Sequence, residues 1–401
     1  FKCDWSSDVC SSDLKGSSPN SAFENRSISL ILSSMPYFLS RLNKISTIHL
    51  EVTNKCQASC PMCARNLHGG KENPLITISD ITLEEIKKFL PVEFIKQLSS
   101  MPLCGNFGDP LLNKELIDIV DYIAQSNPNI RMDIHTNGSL RSKAWWSRLA
   151  EVVPHNHCVQ FGIDGLEDTH SLYRIGTDYN KIIKNAQAFI AAGGLARWNF
   201  ITFKHNEHQM EAARQLAKDL GFDSFYEKQT SRFIGNPWFD VEDKNGNVTH
   251  RLENPTEQKL VFVDKKTVEN YRQLISTATI HCEVAERKSV YIDALGYLWP
   301  CCFVGATPYI HTRDNQLVHN FQTDSKASLQ KLLEKFGGIE QFNLRRHAIH
   351  DIVDSAEWQS LWTDSFTGDK LPVCVRACGK FPDTVISQCR DQFVELDTFN
   401  E

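Results

Sequence analysis

Between about residues 45 and 230 the chain alternates short runs of β-branched, aromatic and aliphatic residues with longer stretches whose apolar positions recur every three or four residues. That alternation predicts strands over 47–53, 101–106, 131–135, 159–163, 198–203 and 224–227, separated by helices over 82–89, 114–125, 143–152, 180–192 and 207–220. Asn113 and Asn180 sit where helix N-caps belong, and Gly193-Gly194 and Gly221 where helices stop. Repeated βα units of this kind imply an α/β fold with a parallel sheet. Beyond them, residues 240–251 are polar and read as a loop, with Asn245-Gly246 as a turn. Residues 291–300 read as a β-hairpin turning at or near Gly296.

Composition narrows the class without naming the chemistry. The 401 residues allow two domains, and 41% hydrophobic with 23% charged content is ordinary for a globular protein. A formal charge of −6 gives no reason to expect nucleic acid or an anionic membrane surface as partner. No apolar run reaches the ~18 residues that a membrane span needs, so a soluble, cytoplasmic protein is expected. Residues 1–14 lack the basic start and apolar core of a signal peptide and resemble translated vector sequence. Cys3 and Cys10 are therefore set outside the chemistry, and the native start is expected near Met35 or upstream of it.

Thirteen cysteines in a chain of this length point to metal rather than to a disulfide scaffold, because they are clustered. Cys56, Cys60 and Cys63 fall within eight residues, directly after the first predicted strand. Three thiolates on one short loop hold a soft metal centre and leave one coordination position open. Structural zinc is the competing reading, although zinc sites usually pair two closely spaced units, and no second pair follows within forty residues. In parallel βα folds the strand C-termini gather the chemistry. The unusual residues lie there: Gly105-Asn106-Phe107-Gly108-Asp109-Pro110 after the second strand, Thr136-Asn137-Gly138 after the third and Asp164-Gly165 after the fourth. Singly, each also reads as a plain turn.

The Cys-x3-Cys-x2-Cys spacing, followed by these loops from about Ile45 to Arg232, resembles the radical S-adenosylmethionine (radical SAM) superfamily. The resemblance implies a partial (β/α)6 TIM-like barrel in which Cys56, Cys60 and Cys63 bind a [4Fe–4S] cluster and S-adenosylmethionine chelates its open iron. Met62 stands where the family has an aromatic residue near the adenine. Gly108 and Asp109 match the family's Gly-Glu-Pro segment at the cofactor amino group, and Asn137 belongs to the same rim. Asp164 matches the Asp-Gly segment of peptide-modifying members, with Gly162 in place of a cofactor-contacting serine. Arg174 matches the arginine that pairs with the cofactor carboxylate, for which a planar fork of donors is suited.

A second cysteine group, Cys282, Cys301, Cys374 and Cys378, together with the hairpin, is similar to the auxiliary-cluster domain called SPASM or, in its shorter form, twitch. The resemblance implies one auxiliary [4Fe–4S] cluster on those four thiols, with Cys302 or Cys389 as possible substitutes. Structural zinc again competes. Cys104 and Cys158 read as buried small hydrophobes. The expected layout is an N-terminal segment to residue 44, a radical SAM core over 45–235, a connecting region over 236–280 and an auxiliary-cluster domain over 281–401.

The implied reaction is reductive cleavage of S-adenosylmethionine to a 5′-deoxyadenosyl radical that removes hydrogen from a substrate, with the auxiliary cluster as electron acceptor or relay. The substrate would be a peptide or protein, or a small alcohol or sugar, and the reductant a flavodoxin or ferredoxin. No winged-helix-sized region precedes Ile45, which favours substrates other than leader-dependent peptides. No catalytic residue can be singled out: His135, Lys204, Glu227, Lys228 and Gln229 lie near strand ends unranked. A non-enzymatic zinc protein is the alternative.

Overall fold

The computed structural model describes residues 42–230, 233, 236–256, 273, 275–311, 316–366, 370–380 and 393–399. The expectations about residues 1–14, with Cys3 and Cys10, about Met35 and about Cys389 lie outside the described residues. Fourteen strands are used below. They are β1 (Thr47–Leu50), β2 (Asn66–Leu67), β3 (Lys71–Glu72), β4 (Met132–Thr136), β5 (His157–Gly162), β6 (Ala196–Thr202) and β7 (Ser224–Gln229), then β8 (Trp238–Glu242), β9 (Val248–Glu253), β10 (Thr279–Ile280), β11 (Ser289–Ile292), β12 (Leu298–Trp299), β13 (Gly379–Lys380) and β14 (Phe393–Thr398). Strands β4 to β7 pair in parallel in sequence order, and β14 adds antiparallel to β7.

The second expected strand survives only as isolated parallel bridges, Ser100 and Leu103 linking β1 on one side to Arg131 and Ile134 on the other. Pro102 explains the interruption. Its carbonyl accepts from Leu50 N at 2.9 Å, but it has no N–H to return to the ladder. Six parallel segments thus curve into a partial barrel, as expected for this α/β chain. Its open side is continued by β11, which pairs in parallel with β1, and by β12, which turns back on β11. Gly296 stands at the turn with φ +83°, as the hairpin expectation had it.

Alternation along the barrel strands separates two environments. Ile48, Leu50, Met132, Ile134, Val159, Phe161, Trp198, Phe200 and Phe225 are fully buried and form one core with the helices. The intervening residues are buried too, yet polar: His49, Asp133, His135, Gln160, Asn199 and Lys228. This polar lumen is what the site is built on.

The helices that flank the barrel are α1 (Leu83–Phe89), α2 (Val92–Ile95), α3 (Leu116–Ser126), α4 (Lys143–Val152), α5 (His170–Tyr173), α6 (Tyr179–Ala191) and α7 (Met210–Asp219). The C-terminal part adds α8 (Glu283–Glu286), α9 (Cys302–Ala306), α10 (Gln316–Lys335), α11 (Ile349–Val353), α12 (Ala356–Phe366) and α13 (Pro372–Cys378). Two cap expectations need correction. Helix α6 is capped by Asp178, which accepts from Lys181 N at 3.0 Å, while Asn180 reaches Glu167 instead. Helix α3 starts from Glu115, and Asn113 spends its amide on the carbonyls of Val52 and Ile81, both at 2.8 Å, tying loop to strand end. Gly193 and Gly221 do stop their helices, with φ of +89° and +83°.

A further correction concerns residues 240–251. They form the antiparallel hairpin β8–β9, turning at Asn245-Gly246, rather than a loop. Its outer face is stitched by Arg251, which binds the Asp240 carboxylate through two bonds and lies over the Trp238 ring at 5.0 Å. Its other side carries Phe239, Val241 and Leu252 into the apolar cluster of Met62 and Phe203, but β9 buries only Leu252, so the polar residues dominate the sequence pattern.

Candidate functional site

At the C-terminal rim of the barrel strands lies an open cleft of ≈ 800 Å³. Cys56, Cys60 and Cys63 line it together with Gly105 through Asp109, Asn137, Gly162 and Arg174, and His135, Asn199 and Lys228 reach it from β4, β6 and β7. Of the sequence-expected cofactor residues, Gly108, Asp109, Asn137 and Arg174 therefore share one cavity with the three thiols. Met62 and Asp164 are buried behind it. Met62 packs with Phe203, Val241 and the cleft-lining Ala58, Cys60, Tyr173 and Ile201 in one apolar cluster beneath the cysteine loop.

The cysteine loop is held by backbone bonds that owe nothing to a metal. Ser59 N donates to Ile175 O at 2.8 Å and Cys63 N to Cys60 O at 3.1 Å. Two side-chain donors approach its sulfurs. Asn137 Nδ2 is 3.9 Å from Cys56 Sγ, and Arg174 Nη1 is 3.9 Å from Cys60 Sγ. Burial pushes the Cys56 thiol well above its usual range and the Cys60 thiol up to about 11, the latter against the pull of Arg174. N–H donors aimed at buried sulfur are what an iron–sulfur cluster needs around its thiolates, so this donor set fits the group. Among the described residues no three His, Cys, Asp or Glu side chains converge on a single ion-sized point.

Asp109 is committed to its own chain. Its carboxylate accepts from Leu111 N at 3.0 Å, Thr136 Oγ1 at 2.9 Å and Asn137 N at 2.8 Å, clamping the loop after the second parallel segment to the end of β4. Gly108 is packed so tightly that a Cβ would lie 1.8 Å from Thr53 O. Arg174 is paired with Asp164, Nε to Oδ2 at 2.5 Å, and Asp164 in turn accepts from Ile201 N at 2.6 Å. Burial alone would lower the guanidinium pKa, but Asp164 and Cys60 more than restore it and keep Arg174 charged.

Several cleft residues went unread in the sequence. Tyr173 and Ile201 supply apolar wall beside Phe107 of the Gly105 to Asp109 loop. Tyr173 precedes Arg174 directly, which was the available signal. Asn199 Oδ1 is buried without a hydrogen-bond partner, while its Nδ2 donates to Gln160 at 2.9 Å. Of the unranked candidates, His135 and Lys228 line the cleft. Lys204 instead pairs with Glu253 at the surface, Glu227 accepts from Thr202, and the Gln229 side chain lies outside the described residues. Burial, then Lys228, keeps His135 far below the ordinary histidine range and hence neutral.

A second, apolar cavity of ≈ 350 Å³ brings together Cys282, Cys301, Cys374 and Cys378, among Val284, Pro300, Phe303, Trp362 and Val373. The Cys282 and Cys378 thiols are hydrogen-bonded, which with burial drives Cys282 well above the usual thiol range. Cys302 is not among the lining residues. Cys104 and Cys158 are buried in the barrel, as expected.

Residues 50–217 match the model of the radical SAM superfamily. The chain is 29% identical over 116 residues to the FeMo cofactor biosynthesis protein NifB of Methanocaldococcus jannaschii, a match covering 27% of this chain and 37% of that protein. It is 29% identical over 117 residues to the imidazole glycerol phosphate synthase subunit HisF of Actinobacillus pleuropneumoniae, covering 29% of this chain and 40% of that protein. The chain thus spans about two fifths of the length of these curated relatives. Among solved structures, anSMEcpe with bound AdoMet aligns with a TM-score of 0.47 at 13% identity, over 86% of this chain and 91% of that one. SuiB of Streptococcus suis bound to S-adenosylmethionine aligns with a TM-score of 0.45 at 13% identity, over 70% and 65%.

Proposed function

We propose that the chain, whose residues 50–217 match the radical SAM superfamily model, is an enzyme of that superfamily whose three-cysteine loop holds a [4Fe–4S] cluster and whose cleft binds S-adenosylmethionine beside it. When bound, cluster and cofactor together supply a radical able to take a hydrogen atom from an unactivated C–H bond. The observation that carries the reading is the shared cleft: Cys56, Cys60, Cys63, Gly108, Asp109, Asn137 and Arg174 come from four separate loops and line one cavity. The superfamily match over residues 50–217 speaks against the non-enzymatic zinc reading.

The chain's own residues divide the work. Cys56, Cys60 and Cys63 would hold three irons, with Asn137 and Arg174 donating toward the sulfurs. The backbone of Gly105 to Asp109, fixed by the Asp109 clamp, offers the rim on which the cofactor amino group would rest. Phe107, Tyr173 and Ile201 give an apolar wall that excludes water. His135, Asn199 and Lys228 form the polar floor against which a substrate would be oriented, with His135 neutral.

Cys282, Cys301, Cys374 and Cys378 would carry an auxiliary cluster that takes an electron from the substrate or passes one to the first cluster. Their apolar setting suits electron transfer better than ligand exchange. The substrate is proposed to be a peptide or protein, or a small alcohol or sugar, with a flavodoxin or ferredoxin as reductant.

Anaerobic reconstitution with iron and sulfide, followed by dithionite and S-adenosylmethionine, tests the reading. A brown protein absorbing near ~400 nm that forms 5′-deoxyadenosine is expected. Replacing Cys56, Cys60 and Cys63 by alanine should abolish that product, whereas Cys374→Ala should still cleave cofactor without substrate. A colourless protein that forms none would end the proposal.

A further inference from the structure

The loop from Gly105 to Asp109, which lines the cleft beside the cysteines, is held from two directions. One is the Asp109 clamp within the barrel. The other comes from the C-terminal part of the chain. Glu51, one residue past β1, accepts from Phe107 N at 2.9 Å and Gly108 N at 3.0 Å through Oε1, and its Oε2 accepts from the hydroxyl of Tyr291. Asn106 Nδ2 donates to the carbonyl of Cys302 at 2.9 Å, and the Phe107 ring meets Tyr309 edge-on at 5.6 Å.

Tyr291 has no freedom to move away. It lies on β11 in register with His49 of β1, their rings 4.8 Å apart, and it is fully buried. Its strand leads through β12 to Cys301 and Cys302. Cys301 lines the second thiol cavity while the carbonyl of Cys302 receives Asn106. One short segment therefore carries both a proposed auxiliary ligand and an anchor of the cofactor rim. A Cβ on Gly105 would lie 2.5 Å from Glu51 Oε1, so the loop is closed down on this carboxyl as far as a glycine permits.

We propose that Tyr291 is a positioning residue of the cofactor site: acting through Glu51 from the C-terminal part of the chain, it sets the backbone of residues 105–109 and thereby the affinity for S-adenosylmethionine. The proposal rests on the radical SAM reading of the cleft for its ligand, but not for the loop geometry. The C-terminal thiol unit is then a structural part of the cofactor site as well as an electron carrier. Loss of one buried hydroxyl bond in such a relay is a change of several-fold in the local opening equilibrium.

The test compares Tyr291→Phe with Tyr297→Phe, which deletes a half-buried hydroxyl, bonded to Glu340, away from the loop. Hydrogen–deuterium exchange of the full chain should show residues 105–109 exchanging about 3- to 10-fold faster in Y291F and unchanged in Y297F. In reconstituted protein, S-adenosylmethionine titration followed by electron paramagnetic resonance should show a several-fold weaker Kd for Y291F, at unchanged iron content and unchanged cofactor-free signal. Glu51→Gln, which keeps an acceptor for both amides, should stay close to wild type, and Glu51→Leu should not. Unaltered exchange of 105–109 in Y291F, or equal acceleration in Y297F, overturns the proposal. If wild type itself binds no S-adenosylmethionine, the cleft reading fails and the exchange comparison alone decides the positioning role.

Discussion

A Cβ on Gly162 would sit 2.5 Å from Nη2 of Arg174, so the guanidinium occupies the space that any side chain at 162 would need. This is the physical content of glycine at position 162, where the sequence resemblance leads one to expect serine. The missing side chain lets Arg174 lie against the end of β5, pair with Asp164 and point Nη1 at Cys60.

Gly162→Ser should therefore displace Arg174 rather than add a cofactor contact. We expect a loss of about 1–3 kcal/mol, typical of an overpacked buried site, measured by urea unfolding of the metal-free protein. Equal stability of the variant and wild type would mean that the guanidinium finds a second seat without cost.

Asp164→Asn should be costlier. It leaves the buried Arg174 charge without its partner, a change worth about 3–5 kcal/mol, while the double variant with Arg174→Gln should lose much less than the sum of the two single losses. Additive losses in the unfolding cycle would contradict the pairing.

Iron content separates the adjacent cysteines. Cys301 lines the second cavity and Cys302 does not. After reconstitution, Cys302→Ala should keep the wild-type iron count, and Cys301→Ala should lose about four irons per chain, the content of one cubane cluster. The opposite order would reassign the ligand.

Glu51 gives a pH signature. Burial raises its carboxyl from 4.5 to about 7, against the bonds from Tyr291, Phe107 and Gly108. A pKa higher in the folded state means that folding takes up a proton, so this contribution is complete below 4.5 and is lost as pH rises to about 7. Glu51→Gln cannot titrate. Its stability relative to wild type should therefore improve between about pH 4.5 and about pH 7, by at most about 1.4 kcal/mol for each pH unit crossed. His49, lowered to about 4 by burial, is present in both proteins and drops out of the comparison, whereas Asp293 acts on Glu51 through its charge and shares in the difference. Parallel stability curves would show that Glu51 is ionised in the folded state.

What was legible in the sequence is what neighbours along the chain decide. Strand alternation, helix stops at Gly193 and Gly221, the Gly296 turn and the three-thiol loop all depend on residues within about a dozen positions of one another. Their physics is local, so spacing alone was enough. The hairpin over 238–253 escaped because its second strand, Val248–Glu253, buries only Leu252, and the second strand of the barrel was shortened because Pro102 has no N–H. Tertiary structure alone decided the rest. Tyr291 meets Glu51 across 240 residues, Arg174 fits because residue 162 has no side chain, and of two consecutive cysteines only Cys301 reaches the second cavity. These contacts follow from which way each strand and helix face turns in the closed fold, and no periodicity along the chain encodes that.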